Sequence, residues 1–577
     1  MERPTFVPTV SGLHAAYRTG ARSPDGVVAG IFRRIRSSGL GPVWISLADE
    51  EEAMLRAKAW DPQKPLAGIP FAVKDNIDVK GMPTTAGCPS FAYVARQTAA
   101  AVVRLLEAGA ILIGKTNMDQ FATGLVGVRT PYGACSSIFD DRYISGGSSS
   151  GSAVAVAHGL CAFSLGTDTA GSGRVPAAFN GLVGLKPTRG TVSTDGVVPA
   201  CRSLDCVSIF THTAGDAERV WSAIRSDEAA PDSGVRSIPD VGWRFGVPRD
   251  EDLRFFGDAD AEALFRRAVE RCQTLGGTEV RIDYAPFREA AALLYEGPWV
   301  AERYAAVGEF LKSEPLDADP TVAKIILSGE RFSAVEAFRA FDALDALRRR
   351  MAPVWREIDV LVLPTTGTIY TKAAVAADPI ALNANLGYYT NFVNLMDLAA
   401  VAVPAGVSPA GLPFGLTFIG RALSDRALLR LAQSFGGEAH ADEPCPGRVQ
   451  VGVVGAHLSG QPLNAQLIER GARLVYAGLT APAYRLYALA GTEPQKPGLV
   501  RTPGPNGAGI EVEVWEMPEE RFGSFVNAVP APLAIGSVEL ATGQWVKGFL
   551  CEAYALAGAR DITACGGWRG YLSAERM

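Results

Sequence analysis

The stretch Ser145-Gly146-Gly147-Ser148-Ser149-Ser150-Gly151-Ser152 is followed by Gly166-Thr167-Asp168-Thr169-Ala170-Gly171-Ser172-Gly173-Arg174, and the two set serines in backbone almost free of bulky side chains. Upstream lies Gly68-Ile69-Pro70-Phe71-Ala72-Val73-Lys74-Asp75-Asn76, an apolar run that ends on a lysine. Small residues around Ser172 let the chain turn tightly and let a substrate approach the amides of Thr169, Ala170 and Gly171, a natural oxyanion hole. The hydroxyl of Ser148 can donate to one group and accept from another. A lysine buried behind Phe71-Ala72-Val73 loses proton affinity until it can act as a neutral base. Lys74, Ser148 and Ser172 thus read as a relay that activates Ser172. The chain has only five histidines in 577 residues, so lysine is the expected base. Taken singly, a Gly/Ser stretch is a loop and a lysine after a strand a surface charge; the conjunction carries the reading.

Working outward, Ala99–Ala108 is an expected helix stopped by Gly109, and Ala110–Gly114 a short buried strand. A helix over Ser152–His158 and strands over Ala162–Leu165, Leu182–Leu185, Trp243–Val247 and Ile358–Pro364 continue the alternation. Strands alternating with helices predict an α/β domain around a largely buried sheet. Residues 257–355 read as mostly helical. Gly109-Ala110-Ile111-Leu112-Ile113-Gly114-Lys115-Thr116 fits a phosphate-loop pattern by letter, but its middle is a hydrophobic strand where that loop needs a flexible turn. Near Gly436–Arg448 the chain turns polar, and afterwards short strands and frequent turns dominate. The expected domains are 1–445 and 446–577, the second a smaller α+β or β-rich unit.

At 577 residues more than one domain is expected, and 48% hydrophobic against 20% charged residues fits a well-packed protein. A net charge of −6 argues against a nucleic-acid surface. No apolar run is long enough to span a bilayer, and Met1–Pro8 lacks the apolar core of a secretory signal. Nine cysteines without a Cys-x-x-Cys pair signal neither a zinc site nor a disulfide framework, so a cytoplasmic setting is expected.

The joint pattern resembles the amidase signature family. The likeness runs in order through Ala67–Asp75, Gly114-Lys115-Thr116-Asn117-Met118-Asp119, Gly146–Ser152, Gly166–Ser172 and Gly184-Leu185-Lys186-Pro187-Thr188. It implies an α/β domain with a central mixed sheet flanked by helices, with Ser172 the acyl-forming nucleophile, Ser148 the relay serine on a cis peptide and Lys74 the base, and with no metal or organic cofactor. Two residues depart from the family pattern: Ala170 where glycine is frequent, and Gly173 where isoleucine or valine is frequent. Asp168 and Arg174 are expected to brace the loop.

Within that family, Leu294-Tyr295-Glu296-Gly297-Pro298-Trp299-Val300-Ala301-Glu302-Arg303-Tyr304 resembles the substrate segment of allophanate hydrolases. The resemblance implies that Tyr295 and Arg303 bind the carboxylate of allophanate, and a phenol beside a planar guanidinium suits a short carboxylate. The segment from Val453 to Asn464 resembles the opening of the C-terminal domain of those enzymes, whose fold is similar to γ-glutamyl cyclotransferases. There His457 is the candidate for a second active site, acting on the carboxylated product. The implied activity is hydrolysis of allophanate in urea degradation by a cytoplasmic homodimer linked functionally to a urea carboxylase, with no nucleic-acid or membrane partner. The alternatives are another small-acid amidase or the glutaminase component of a tRNA-dependent amidotransferase, with a C-terminal domain that is purely structural.

Overall fold

The computed structural model describes residues 7–37, 39, 42–226, 238–239, 242–438, 448–491, 495–504, 509–541 and 543–575. Its contacts divide the chain into Met1–Ala439 and His440–Met577. The boundary expected near residue 445 lies outside the described residues.

In the first unit the strands are β1 (Trp44–Leu47), β2 (Pro70–Lys74), β3 (Pro83–Thr84), β4 (Tyr93–Val94), β5 (Ile111–Thr116), β6 (Phe163–Asp168) and β7 (Val183–Lys186). They continue with β8 (Cys206–Thr211), β9 (Arg244–Pro248), β10 (Thr278–Ile282), β11 (Val360–Pro364), β12 (Leu398–Val407) and β13 (Pro413–Arg421). Apart from the β3–β4 hairpin, these form one eleven-stranded mixed sheet among the described residues, in the order β1-β5-β2-β6-β8-β7-β12-β13-β11-β9-β10. β2 runs parallel to both β5 and β6, whereas β6, β8, β7 and β12 follow one another antiparallel. Every residue of β2, β5, β6, β7, β8 and β11 is buried. Burial on both faces is why these strands read as continuous apolar runs instead of alternating ones. Phe71 on β2 stacks on Phe163 of β6 with ring centroids 5.4 Å apart.

The expected helices appear as Ala100–Glu107 and Ser150–Ala157. The helical region contains Ala259–Thr274, Ala285–Glu296, Trp299–Lys312, Pro320–Leu327 and Ala334–Met351, interrupted by β10. The letter-perfect phosphate loop is β5 and its approach: Lys115 is buried, 3.4 Å from Asp75 and donating to the Pro83 carbonyl. Its amine is therefore occupied inside the protein.

The second unit holds β14 (Arg448–Val453), β15 (Arg473–Leu479), β16 (Tyr484–Ala488), β17 (Pro497–Arg501), β18 (Glu511–Pro518), β19 (Leu533–Glu539), β20 (Trp545–Cys551) and β21 (Arg560–Asp561). Among the described residues they form a five-stranded sheet, β15-β18-β14-β20-β19, and a three-stranded one, β17-β16-β21. Val451, Val453, Val512, Val514, Phe525 and Trp568 belong to its own apolar core. Among the described residues no helix is long and apolar enough to cross a membrane.

Candidate active site

Lys74 is the last residue of β2, and its side chain is fully buried. Its Nζ donates to Ser148 Oγ at 2.8 Å and to Thr167 Oγ1 at 2.7 Å. Burial pushes the Lys74 ammonium down to about 7, against the upward pull of Asp119, Asp205 and Asp168; Arg303 adds to the depression. With the amine neutral, the 2.8 Å contact can run the other way, the Ser148 hydroxyl donating to nitrogen. The Gly147–Ser148 peptide is cis. Asp119, the last residue of the Gly114–Asp119 motif, grips this loop. Its amide donates to the Ser148 carbonyl at 3.0 Å, and its carboxylate accepts from the amides of Gly127 at 3.0 Å and Arg129 at 2.9 Å.

Ser172 lies in the turn between β6 and the short helix Val175–Phe179, 3% exposed, and its Oγ has no hydrogen-bond partner among the described residues. The structure thus joins Lys74 to Ser148 directly and leaves the Ser172 hydroxyl unbonded; contacts of this kind commonly close only with substrate in place. Asp168 braces the turn. Both its oxygens meet the Arg174 guanidinium, at 2.9 and 3.0 Å, and they also accept from the amides of Gly171 at 2.9 Å and Gly173 at 3.0 Å. Burial would raise the Asp168 carboxyl, but Arg174, Lys186 and the Gly173 amide together outweigh it and hold the group below its usual value. Of the three amides expected to form an oxyanion hole, that of Gly171 is therefore committed to Asp168. The amides of Thr169 and Ala170 make no hydrogen bond among the described residues.

Both departures from the family pattern have a packing account. Ala170 is 2% exposed and belongs to the apolar cluster that includes Leu294 and Tyr389. A Cβ on Gly173 would come within 2.4 Å of the Ser208 side chain, which fills the space a larger residue would need. Gly171, at φ +129°, is required twice over, since a Cβ there would also meet Thr390 Oγ1 at 2.5 Å.

Tyr295 and Arg303 are brought together by a helix break. Gly297 caps the helix Ala285–Glu296, and Pro298 opens Trp299–Lys312. The guanidinium of Arg303 then sits 5.5 Å from the Tyr295 ring centre. Arg303 is 1% exposed; its Nη1 donates to Thr123 Oγ1 at 2.9 Å and to the Ala122 carbonyl at 3.3 Å. Its Nε and Nη2 are buried without a hydrogen-bond partner among the described residues. The seat itself is strained: Phe121 and Ala122 are consecutive left-handed non-glycine residues, at φ +50° and +51°. Such residues cost of order 1–3 kcal/mol each and persist where the surroundings over-determine them.

His457 belongs to the second unit. It is half-buried, its Nε2 lies 3.1 Å from Gln466 Oε1, and its ring stacks on Phe549 at 5.1 Å. Burial lowers its pKa, so the ring is neutral at neutral pH. Around it opens a cavity of about 210 Å³ lined by Val454, Gln466, Lys496, Phe525 and Phe549.

Reading the sequence missed Thr167, Asp119, Thr123 and Asp205. Thr167 and Asp119 lay inside quoted motifs, and parallel pairing of Val73 with Leu165 brings the ends of β2 and β6 together. Thr123 and Asp205 had no signal of their own.

The Amidase family pattern matches residues 42–429, and that of the allophanate hydrolase C-terminal domain matches residues 449–573. The chain is 43% identical to the urea amidolyase of Lachancea kluyveri across 94% of its length, but spans only 32% of that protein. It is 44% identical to the urea amidolyase of Saccharomyces cerevisiae across 93% of its length, again spanning 32% of the relative. Among solved structures, the allophanate hydrolase of Kluyveromyces lactis is 40% identical, with a TM-score of 0.74 covering 98% of this chain and 99% of the other. The chain therefore belongs to the amidase family, and carries after its amidase domain the allophanate hydrolase C-terminal domain.

Proposed function

We propose that this chain hydrolyses allophanate. The observation that carries the reading is Arg303, a buried guanidinium whose Nε and Nη2 have no hydrogen-bond partner among the described residues and which faces a tyrosine ring. Buried charged donors left unmatched are costly, and a small carboxylate offers the complementary two-oxygen edge. The Arg303 charge is one of those that bear on the Lys74 amine, which supports placing the anion seat and the serines in one site. Likeness to the K. lactis allophanate hydrolase over nearly both full chains supports the same substrate.

In this mechanism neutral Lys74 takes the proton of Ser148, and Ser148 takes that of Ser172. The Ser172 oxygen attacks the terminal carbonyl carbon of allophanate, and the amides of Thr169 and Ala170 stabilise the resulting oxyanion. The carbon–nitrogen bond breaks, and the relay returns a proton to the departing ammonia. Water then enters by the same route, frees Ser172 and releases N-carboxycarbamate. That product takes up a proton as it loses carbon dioxide, and goes on to ammonia and a second carbon dioxide. We infer a cytoplasmic homodimer supplied by a urea carboxylase.

The decisive test is ammonia release from allophanate, malonamate, biuret and glutamine. Allophanate is expected to have the highest kcat/KM; preference for glutamine would favour the amidotransferase reading. The pH profile follows from Lys74. Because the base must be neutral, kcat/KM should rise with pH and level off above an acid limb near 7, where burial has brought this amine. A limb below 5 would remove Lys74 from the role.

The cavity around His457 supports a second reaction there, loss of carbon dioxide from N-carboxycarbamate. His457→Ala should leave the first ammonia unchanged and delay carbon dioxide. Time courses of the two gases that coincide with the wild type would leave the second domain without that role.

A further inference from the structure

Asp205 closes a loop immediately before β8, and the antiparallel register of β6 with β8 pairs Asp168 with Cys206. One step further out, Thr169 and Asp205 fall opposite each other, and the Thr169 hydroxyl donates to Asp205 Oδ1. The same buried carboxylate accepts from the amides of Ala200 at 2.9 Å and Cys201 at 3.2 Å. That loop is fastened in turn to the helix Trp299–Lys312. Cys201 Sγ donates to the Trp299 carbonyl at 3.2 Å, and the Ser203 hydroxyl donates to Glu302 at 2.6 Å. Glu302 is the neighbour of Arg303. Asn394 reinforces the junction, its Nδ2 donating to the carbonyls of Asp168 at 2.8 Å and Leu204 at 3.0 Å.

We infer that Asp205 is a positioning residue that ties the Thr169 amide to the helix bearing Arg303, and so sets the span between the reacting carbonyl and the substrate carboxylate. This rests on the proposed roles of Thr169 and Arg303. One side chain holds both ends of the substrate site: through the Thr169 hydroxyl it orients the adjoining amide, and through residues 200–203 it fixes the depth of the guanidinium. A rigid span favours acid amides of one length, because a longer molecule cannot satisfy both ends at once.

The test uses the full chain with malonamate and succinamate, which differ by one methylene, and reads kcat and KM for each. Thr169→Val should lower kcat on the shorter amide about 100-fold with KM changed little, and Thr169→Ser, which restores the hydroxyl, should recover the rate to within about tenfold of wild type. Asp205→Asn should lower kcat to a similar extent and reduce the preference for the shorter amide at least about tenfold. Thr169→Val at wild-type kcat, or Thr169→Ser as impaired as Thr169→Val, would overturn the inference, and so would an unchanged length preference in Asp205→Asn. If Asp205→Asn does not fold, the Thr169 pair decides alone. The wild-type choice among substrates tests the allophanate reading separately, because the variants are compared on whichever amide the wild type hydrolyses.

Discussion

Ser172→Ala is expected to abolish ammonia release, with kcat falling about 10⁴-fold or more, because the covalent route disappears with the nucleophile. The fold should survive. The Ser172 hydroxyl has no partner among the described residues, while the turn around it is held by Asp168 and Arg174, both fully buried. Lys74→Ala and Ser148→Ala should each be severely impaired, since either breaks the 2.8 Å contact that begins the relay. Their losses should not add: a relay missing one member has already failed, so the double variant should be no slower than the worse single. Ammonia release under saturating substrate, alongside thermal unfolding of each variant, checks both points. A Ser172→Ala enzyme keeping more than a tenth of wild-type activity would end the assignment.

The second large effect is at Arg303. Arg303→Ala should lower kcat/KM for allophanate by about 2–5 kcal/mol, roughly 30- to 5,000-fold, as a desolvated carboxylate loses its partner. Because that contact exists in the ground state and the transition state alike, most of the loss should appear in KM. Arg303→Lys should recover only part of it, since an ammonium cannot present two parallel donors. Tyr295→Phe should cost less, about 1–3 kcal/mol, the range for one buried hydrogen bond. Propionamide, the uncharged counterpart of malonamate, supplies the control: its slow hydrolysis should be nearly indifferent to Arg303. An unchanged kcat/KM for allophanate in Arg303→Ala would detach this residue from substrate recognition.

The pairing of Tyr295 with Arg303 was legible only through the family resemblance of Leu294–Tyr304. The structure breaks the helical run at Gly297-Pro298, and that break brings Tyr295 back toward the next helix. What no periodicity discloses is the seat of the guanidinium, the Ala122 carbonyl and the Thr123 hydroxyl, which lie some 180 positions away. The hairpin of β12 and β13 was equally silent. Leu398-Ala399-Ala400-Val401-Ala402-Val403 suits a buried helix as well as a buried strand, and pairing with β7 decides between them.

The nucleophile turn shows the same division. The alternation of small residues through Gly166–Gly173 predicts a tight turn with exposed amides, and Gly171 does adopt a left-handed conformation. Yet the amide of Gly171 is spent on Asp168, a preference set by the Asp168–Arg174 ion pair.

The sequence by itself determined the local elements: the buried strand ending in Lys74 and the glycine-rich turns carrying Ser148 and Ser172. These follow from side-chain size, backbone freedom and periodicity over a few residues. Only the tertiary structure decided that Thr167 shares the Lys74 amine, that Asp205 links the Thr169 turn to the Arg303 helix, and that two guanidinium nitrogens of Arg303 have no partner among the described residues. Those are relations between residues far apart in the chain. They are set by strand register and by burial, which no local window of sequence contains.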